Sequence, residues 1–333
     1  MRRKLVILAG SMVFLAAAVL LLVLYINRTG RKASEGVDSS IHVVTSFYPV
    51  YVLTINMTDG ISDIKVDSLT DFSRGCLHDY RLTTNDMRLL SDADVFVING
   101  GGMEEYLQDV MDGYPNLKII NLGEGIDMLE SKLHEGEKNP HVWLDPQLYM
   151  VQIENARKGL TDFIGNFKGK RGGGRNIDEE DKDRIIDKIN SNAEAYTARV
   201  RELSDEMDNL LDTVKGKAES NKISAKVVVF HDSFAYLAGK AGLETAYAVE
   251  IDEDTPLSAG EVAEIINAVR QDNIRFLFTE EQYDDNIANR ISEETGAQIY
   301  IIDSAVTGDA EKDSYLKAMR KNIDTLKGAF EEP

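Results

Sequence analysis

Between Glu179 and about Lys217 the chain carries one uninterrupted helical pattern. Ile185, Ile189, Ala193, Tyr196, Val200, Leu203, Met207, Leu210 and Val214 recur at three- and four-residue spacing, with no Pro and, until Gly216, no Gly to break the run. That spacing puts all of them on one stripe of a helix of roughly ten turns. A helix of this length does not fit inside one small domain. It fits a backbone that crosses from one lobe to another.

Short apolar strands and helices alternate on both sides of it. Before it, strands are predicted at His42–Phe47, Ile64–Leu69, Ala93–Asn99 and Lys118–Asn121, with helices starting at Thr83, over Met103–Met111 and over Asp145–Phe163. After it, strands are predicted at Lys226–Phe230, Phe276–Thr279 and Gln298–Ile302, with helices over Ser258–Arg270, Asp285–Thr295 and Ser314–Phe330. Thr83 with Asp86, and Ser258 with Glu261, have the spacing of a capping box. The alternation predicts an α/β protein, two lobes with short central sheets bridged by one long rigid helix. The expected divisions are an N-terminal lobe over 41–178, a linking helix over 179–217 and a C-terminal lobe over 218–333. Within the first lobe, the basic, Gly-rich stretch around 165–176 reads as a surface loop; it has no GK followed by Ser or Thr, so it is no P-loop.

Leu5–Ile26 is a different kind of segment, 22 uncharged and mostly apolar residues between Arg2-Arg3-Lys4 and the cations Arg28, Arg31 and Lys32. As a helix it would span about 33 Å, the thickness of a bilayer core. It is longer than the apolar region of a signal peptide and no small-x-small cleavage site follows closely. Residues 1–33 are therefore expected to be an uncleaved signal-anchor, with 34–40 as spacer. Cleaved export is the alternative. Either way the remainder faces out of the cytoplasm.

The net charge is −20, and all six basic residues of the first 33 stand without an acid among them, so the other 300 carry −26. Such a surface raises the local concentration of cations, repels phosphate and excludes a generic nucleic-acid binder. A single cysteine, Cys76, rules out an internal disulfide. It lies two residues from His78 but reads as a free thiol.

Five histidines are present. His78 (RGCLHDY), His141 (NPHVWLDP) and His231 (VVVFHDSF) lie where a strand gives way to a loop or helix, and Asp303 closes QIYIID in the same manner. The carboxyl ends of strands form the ligand rim of open α/β sheets. Imidazole is the commonest neutral metal donor and a carboxylate adds charge, so these four are the candidate metal ligands. Glu280 and Glu281, after the strand FLFT, are possible partners that orient a histidine, or alternative ligands. His42 opens a strand and is expected to be structural or exposed. His134, in SKLHEGEKN, is expected in a solvated loop with at most a transient cation contact.

The segments VVTSFYPVYVLTINM, RGCLHDYRLTTNDMRLLSDADVFVINGGGMEEYL, NPHVWLDP, VVFHDSFAYLAGKAGL, FTEEQ and EETGAQIYIID together resemble the extracytoplasmic zinc and manganese solute-binding proteins of bacterial ABC importers. The likeness runs from about 42 to 330, interrupted by the Gly-rich loop. It implies two α/β lobes with one metal in the cleft, His78 and His141 contributed by the first lobe and His231 and Asp303 by the second. The resemblance implies zinc more than manganese, because manganese members often carry a glutamate where His231 stands. It implies an ABC permease and its ATPase as partners, a monomer, and no enzymatic activity. The chain departs from the pattern at Leu77, where a proline is usual, and at Arg81, where an acid or amide is usual; both are expected to border the cleft. The His-rich loop of some zinc members is missing, and so is the lipid-bearing cysteine, which fits a transmembrane anchor.

Three imidazoles and one carboxylate fill the tetrahedral shell of zinc, as in a carrier, whereas a hydrolytic zinc keeps a position open for water. A zinc hydrolase with Asp303 or Glu280 as base is the enzymatic alternative, although no HExxH occurs. A surface adhesin stabilised by its metal is a third reading.

Overall fold

The computed structural model describes residues 40–73, 75, 77, 80–107, 113–169, 177–220, 224–249, 257–280 and 286–331. The expected anchor, the 34–39 part of its spacer, and the 170–176 part of the Gly-rich loop lie outside them, as do Cys76, His78 and Glu281. Among the described residues no helix is long and apolar enough to cross a membrane.

The first half contains β1 (Ile41–Thr45), α1 (Tyr48–Met57), β2 (Ile64–Ser68), α2 (Thr84–Asp92), β3 (Val95–Ile98), β4 (Lys118–Asn121) and α3 (Pro146–Asn166). Then comes α4 (Glu179–Glu219), followed by β5 (Lys226–Val229), α5 (Phe234–Lys240), β6 (Glu244–Ala248), α6 (Ala259–Gln271), β7 (Phe276–Thr279), α7 (Asn286–Thr295), β8 (Gln298–Ile301) and α8 (Ser314–Glu331). The strands form two four-stranded sheets, ordered β2-β1-β3-β4 and β6-β5-β7-β8. Every pairing within them is parallel, with Val43 opposite Val95 and Val227 opposite Phe276 at the centre of each. The α/β class with a long helix between two parallel sheets is therefore the observed architecture.

Covering both faces of a parallel sheet buries its central strands throughout, and β1, β3 and β7 are buried at every position. Alternate residues then separate into layers. Val43, Val97, Val229 and Phe278 join the largest core cluster, which draws on both halves of the chain. Val44 and Phe96 belong to an outer cluster of the first sheet, Val228 and Leu277 to one of the second.

All nine stripe residues of α4 are buried, from Ile185 to Val214. The helix starts on the Asp178 side chain, which accepts from the Asp181 amide, and packs along α3, α8 and α1. Both predicted capping boxes form, Thr83 with Asp86 and Ser258 with Glu261. Three elements escape the sequence reading. In α1 (YPVYVLTINM) eight of ten residues are buried, so no polar face marks a helical period, and Pro49 in its first turn is the one signal. The second is α5, also largely buried, and the third the strand β6. The expected helix over Met103–Met111 shows one 3-10 turn, Glu105–Leu107, before the described residues stop at 107. Helix α3 continues past its expected end through Gly165 to Asn166, whose side chain donates to the Asp162 carbonyl at 2.8 Å.

Candidate metal centre

In each sheet the chain leaves neighbouring strands in opposite directions between β1 and β3, and between β5 and β7. A crevice opens at such a switch point, beyond the carboxyl ends of the strands. His231 follows β5 and Glu280 follows β7, so the second switch point brings them together: His231 Nδ1 lies 2.7 Å from Glu280 Oε1. The other Glu280 oxygen accepts from Ser304 Oγ at 2.7 Å, and Ser233 Oγ lies 2.9 Å from the same ring nitrogen.

The first lobe delivers His141 through the turn Asn139-Pro140-His141, which leads into the 3-10 turn Val142–Leu144. Asn139 Oδ1 accepts from the His141 amide at 3.1 Å and from Nδ1 at 2.8 Å. The turn is tied to β3, since Asn99 Nδ2 donates to the Pro140 carbonyl at 2.9 Å and Gln152 holds the Asn99 side-chain oxygen at 2.8 Å. The His141 and His231 rings meet edge to face, centroids 5.0 Å apart, and Trp143 packs against His141 at 5.2 Å.

Because an amide oxygen and a carboxylate accept at the two Nδ1 atoms, each Nδ1 carries a proton, and in the neutral ring the lone pair is then on Nε2. Both histidines are buried, and both line a cavity of about 440 Å3 together with Asp232, Glu105, Glu137 and His134. A carboxylate behind an imidazole fixes its tautomer and raises its basicity as a metal donor.

Gly101 and Gly102, both at positive φ, line the cavity, and at the adjoining Gly100 a Cβ would meet the Asn121 side chain at 2.0 Å. Glu104 braces that loop, accepting from the Asn99 and Gly100 amides at 2.8 and 2.9 Å. Burial pushes its carboxyl up to about 7 against those hydrogen bonds.

Of the four ligands read from the sequence, the structure brings His141 and His231 together. His78 is outside the described residues. Asp303 lines a separate cavity of about 270 Å3 with Glu280 and Lys321. Its backbone is pinned by the buried Asn322 amide, and its Oδ1 accepts from the Ala305 amide at 2.8 Å. Among the described residues no three His, Cys, Asp or Glu side chains form a metal-holding group. Glu280 occupies the place of a histidine-orienting carboxylate, whereas Glu281 is outside the described residues. His134 is an exposed loop residue at the cavity wall. His42 is structural, with Nε2 2.8 Å from Asp67 Oδ2. Leu77 is 1% exposed and belongs to the core, while Arg81 is exposed.

Asn139, Ser304 and Asp232 went unnoticed in the sequence. For Asn139 a signal existed, since an Asx residue two positions before a histidine can accept from its amide and ring together. For Ser304 no signal existed, because its contact with Glu280 is made only by folding.

Two parallel sheets whose switch points carry buried, hydrogen-bonded imidazoles beside an acidic cavity define a two-lobed cation receptor. The family model for zinc-uptake complex component A, periplasmic (ZnuA), matches residues 43–164 and 179–329, and the chain belongs to that family. It is a family of solute-binding receptors of uptake systems and not of enzymes. The unmatched interval spans the Gly-rich stretch. The high-affinity zinc uptake system protein ZnuA of Bacillus subtilis is 26% identical, over 96% of this chain and 97% of its own length. The zinc-binding protein AdcA of Streptococcus pyogenes is also 26% identical over 87% of this chain, which spans 56% of that longer protein. Among solved structures, the laminin-binding protein Lmb of Streptococcus agalactiae, titled a bifunctional protein with adhesin and metal transporting activity, superposes with a TM-score of 0.68 at 22% identity, over 88% of this chain and all of that one. That last likeness speaks for the fold.

Proposed function

We propose that this chain captures Zn2+ between its lobes outside the cytoplasm and passes it to an ABC permease driven by an ATPase. The observation that carries the reading is the His141–His231 pair, two buried imidazoles each held through Nδ1 so that Nε2 can donate to a cation. His78 and Asp303 would complete a shell of three nitrogens and one oxygen, a set that suits tetrahedral zinc better than manganese, which favours harder oxygen donors. Ligands drawn from both lobes let the bound cation fix their relative geometry, the difference a permease can sense between loaded and empty receptor. Residues 1–33 would anchor the receptor to the outer face of the membrane, with 34–40 as its tether. Glu280 is a poor candidate for a hydrolytic base, since both its oxygens are engaged by His231 and Ser304.

The test is metal analysis of protein purified without added metal, followed by competition of zinc against manganese. Stoichiometric zinc that excess manganese fails to displace is the expected result. Preferential retention of manganese would overturn the assignment of zinc as cargo.

A further inference from the structure

His141 belongs to the first lobe by sequence, and its turn is tied to β3 by Asn99, yet the second lobe grips the same turn. The Tyr236 hydroxyl, on α5, donates to the Asn139 carbonyl at 2.7 Å and accepts from the Leu129 amide at 3.0 Å. Asn139 Nδ2 donates to the Asp232 carbonyl at 2.8 Å. The Asp232 carboxylate accepts from Ser131 Oγ at 2.8 Å and from the Lys132 amide at 3.3 Å. These contacts grip both arms of a hairpin bridged at Glu130 and Lys138, and Asn139 passes the grip to His141 through its side-chain oxygen. On the far side of His141, Trp143 Nε1 donates to the Ser304 carbonyl at 2.8 Å.

We propose that Tyr236 and Asp232 are positioning residues for His141, acting through Asn139, and that they hold the His141–His231 pair assembled across the lobes by contacts that need no cation. Asn139 is fully buried, and Tyr236 and Asp232 are nearly so. Burial holds the Tyr236 hydroxyl up to about 12, so it remains a donor at neutral pH. Asp232 Oδ1, on a residue that lines the cavity, is buried without a hydrogen-bond partner among the described residues. A preassembled pair binds with less ordering cost and releases more slowly.

The inference rests on His141 being a zinc donor, and the experiment separates the two. Zinc release from the full chain is timed by chelator capture, and Co2+ absorption reports donor geometry. Tyr236→Phe is expected to speed release by about 10- to 100-fold, the usual cost of losing an outer-shell partner, and to alter the Co2+ bands. Asp232→Asn should recover most of the loss produced by Asp232→Ala, because the amide oxygen can still accept from Ser131 and Lys132. Ser131→Ala, a milder change, should speed release in the same direction and carries the test if Tyr236→Phe does not fold. Release within twofold of the parent in Tyr236→Phe and Ser131→Ala, with Co2+ bands unchanged, overturns the clamp even if the variants melt earlier. A parent that binds no zinc overturns the function and the clamp together.

Discussion

Two histidines of this chain differ less in chemistry than in what holds their rings. His42 spans from the Asp92 carbonyl to the Asp67 carboxylate, so both nitrogens serve the fold. His141 spends Nδ1 on Asn139 beside the acidic cavity, so that in the neutral ring the lone pair is on Nε2. Calorimetric titration with zinc should therefore show His141→Ala losing orders of magnitude in affinity, and His42→Ala binding like the parent. Glu104 is a second residue with a measurable signature. Its carboxyl is raised from 4.5 to about 7 by burial, so the folded state holds a proton that the unfolded state has released between those values. Stability from this group is present in full below pH 4.5 and is lost as pH rises to about 7, on the order of 3 kcal/mol. Melting curves from pH 4.5 to 8 should show that decline in the parent; in Glu104→Gln the decline should shrink, from a lower starting stability because an amide cannot accept both backbone N–H groups.

At the scale of elements, α4 is the member on which the rest is assembled. Its stripe was readable because nine apolar residues face a continuous core while the opposite face meets water. Ile189, the second residue of that stripe, is fully buried. Ile189→Ala should cost about 2–5 kcal/mol, the range for a large-to-small change in a packed core, and denaturant titration should show a lower midpoint with an unchanged slope. By contrast α1 was unreadable for the same physical reason reversed. A helix buried on nearly every side has no polar period to betray it.

For the whole molecule, a cation held between the two lobes as proposed would bind only the folded form and so add stability by mass action. Free zinc at a thousandfold excess over its dissociation constant should stabilise by about 4 kcal/mol, seen as a rise in melting temperature that a chelator reverses. Protons compete for the same imidazole nitrogens, so the rise should shrink as pH falls from 7.5 to 5. A zinc-induced shift that is the same at both values would argue against histidine donors.

The amino-acid sequence by itself determined the layers, because burial patterns are local: strands buried on both faces read as Val- and Phe-rich runs, caps read from Thr83 and Ser258, and α4 reads from its period. It also marked His141, His231 and Glu280, since each stands directly after a strand or in a turn at the rim. What holds them was decided only by the tertiary structure. The bonds from Asn139 to Asp232, from Tyr236 to Asn139 and from Ser304 to Glu280 join residues 93, 97 and 24 positions apart. No periodicity records such pairs, because hydrogen-bond geometry at the rim depends on how two lobes pack, and that packing is a property of the whole core.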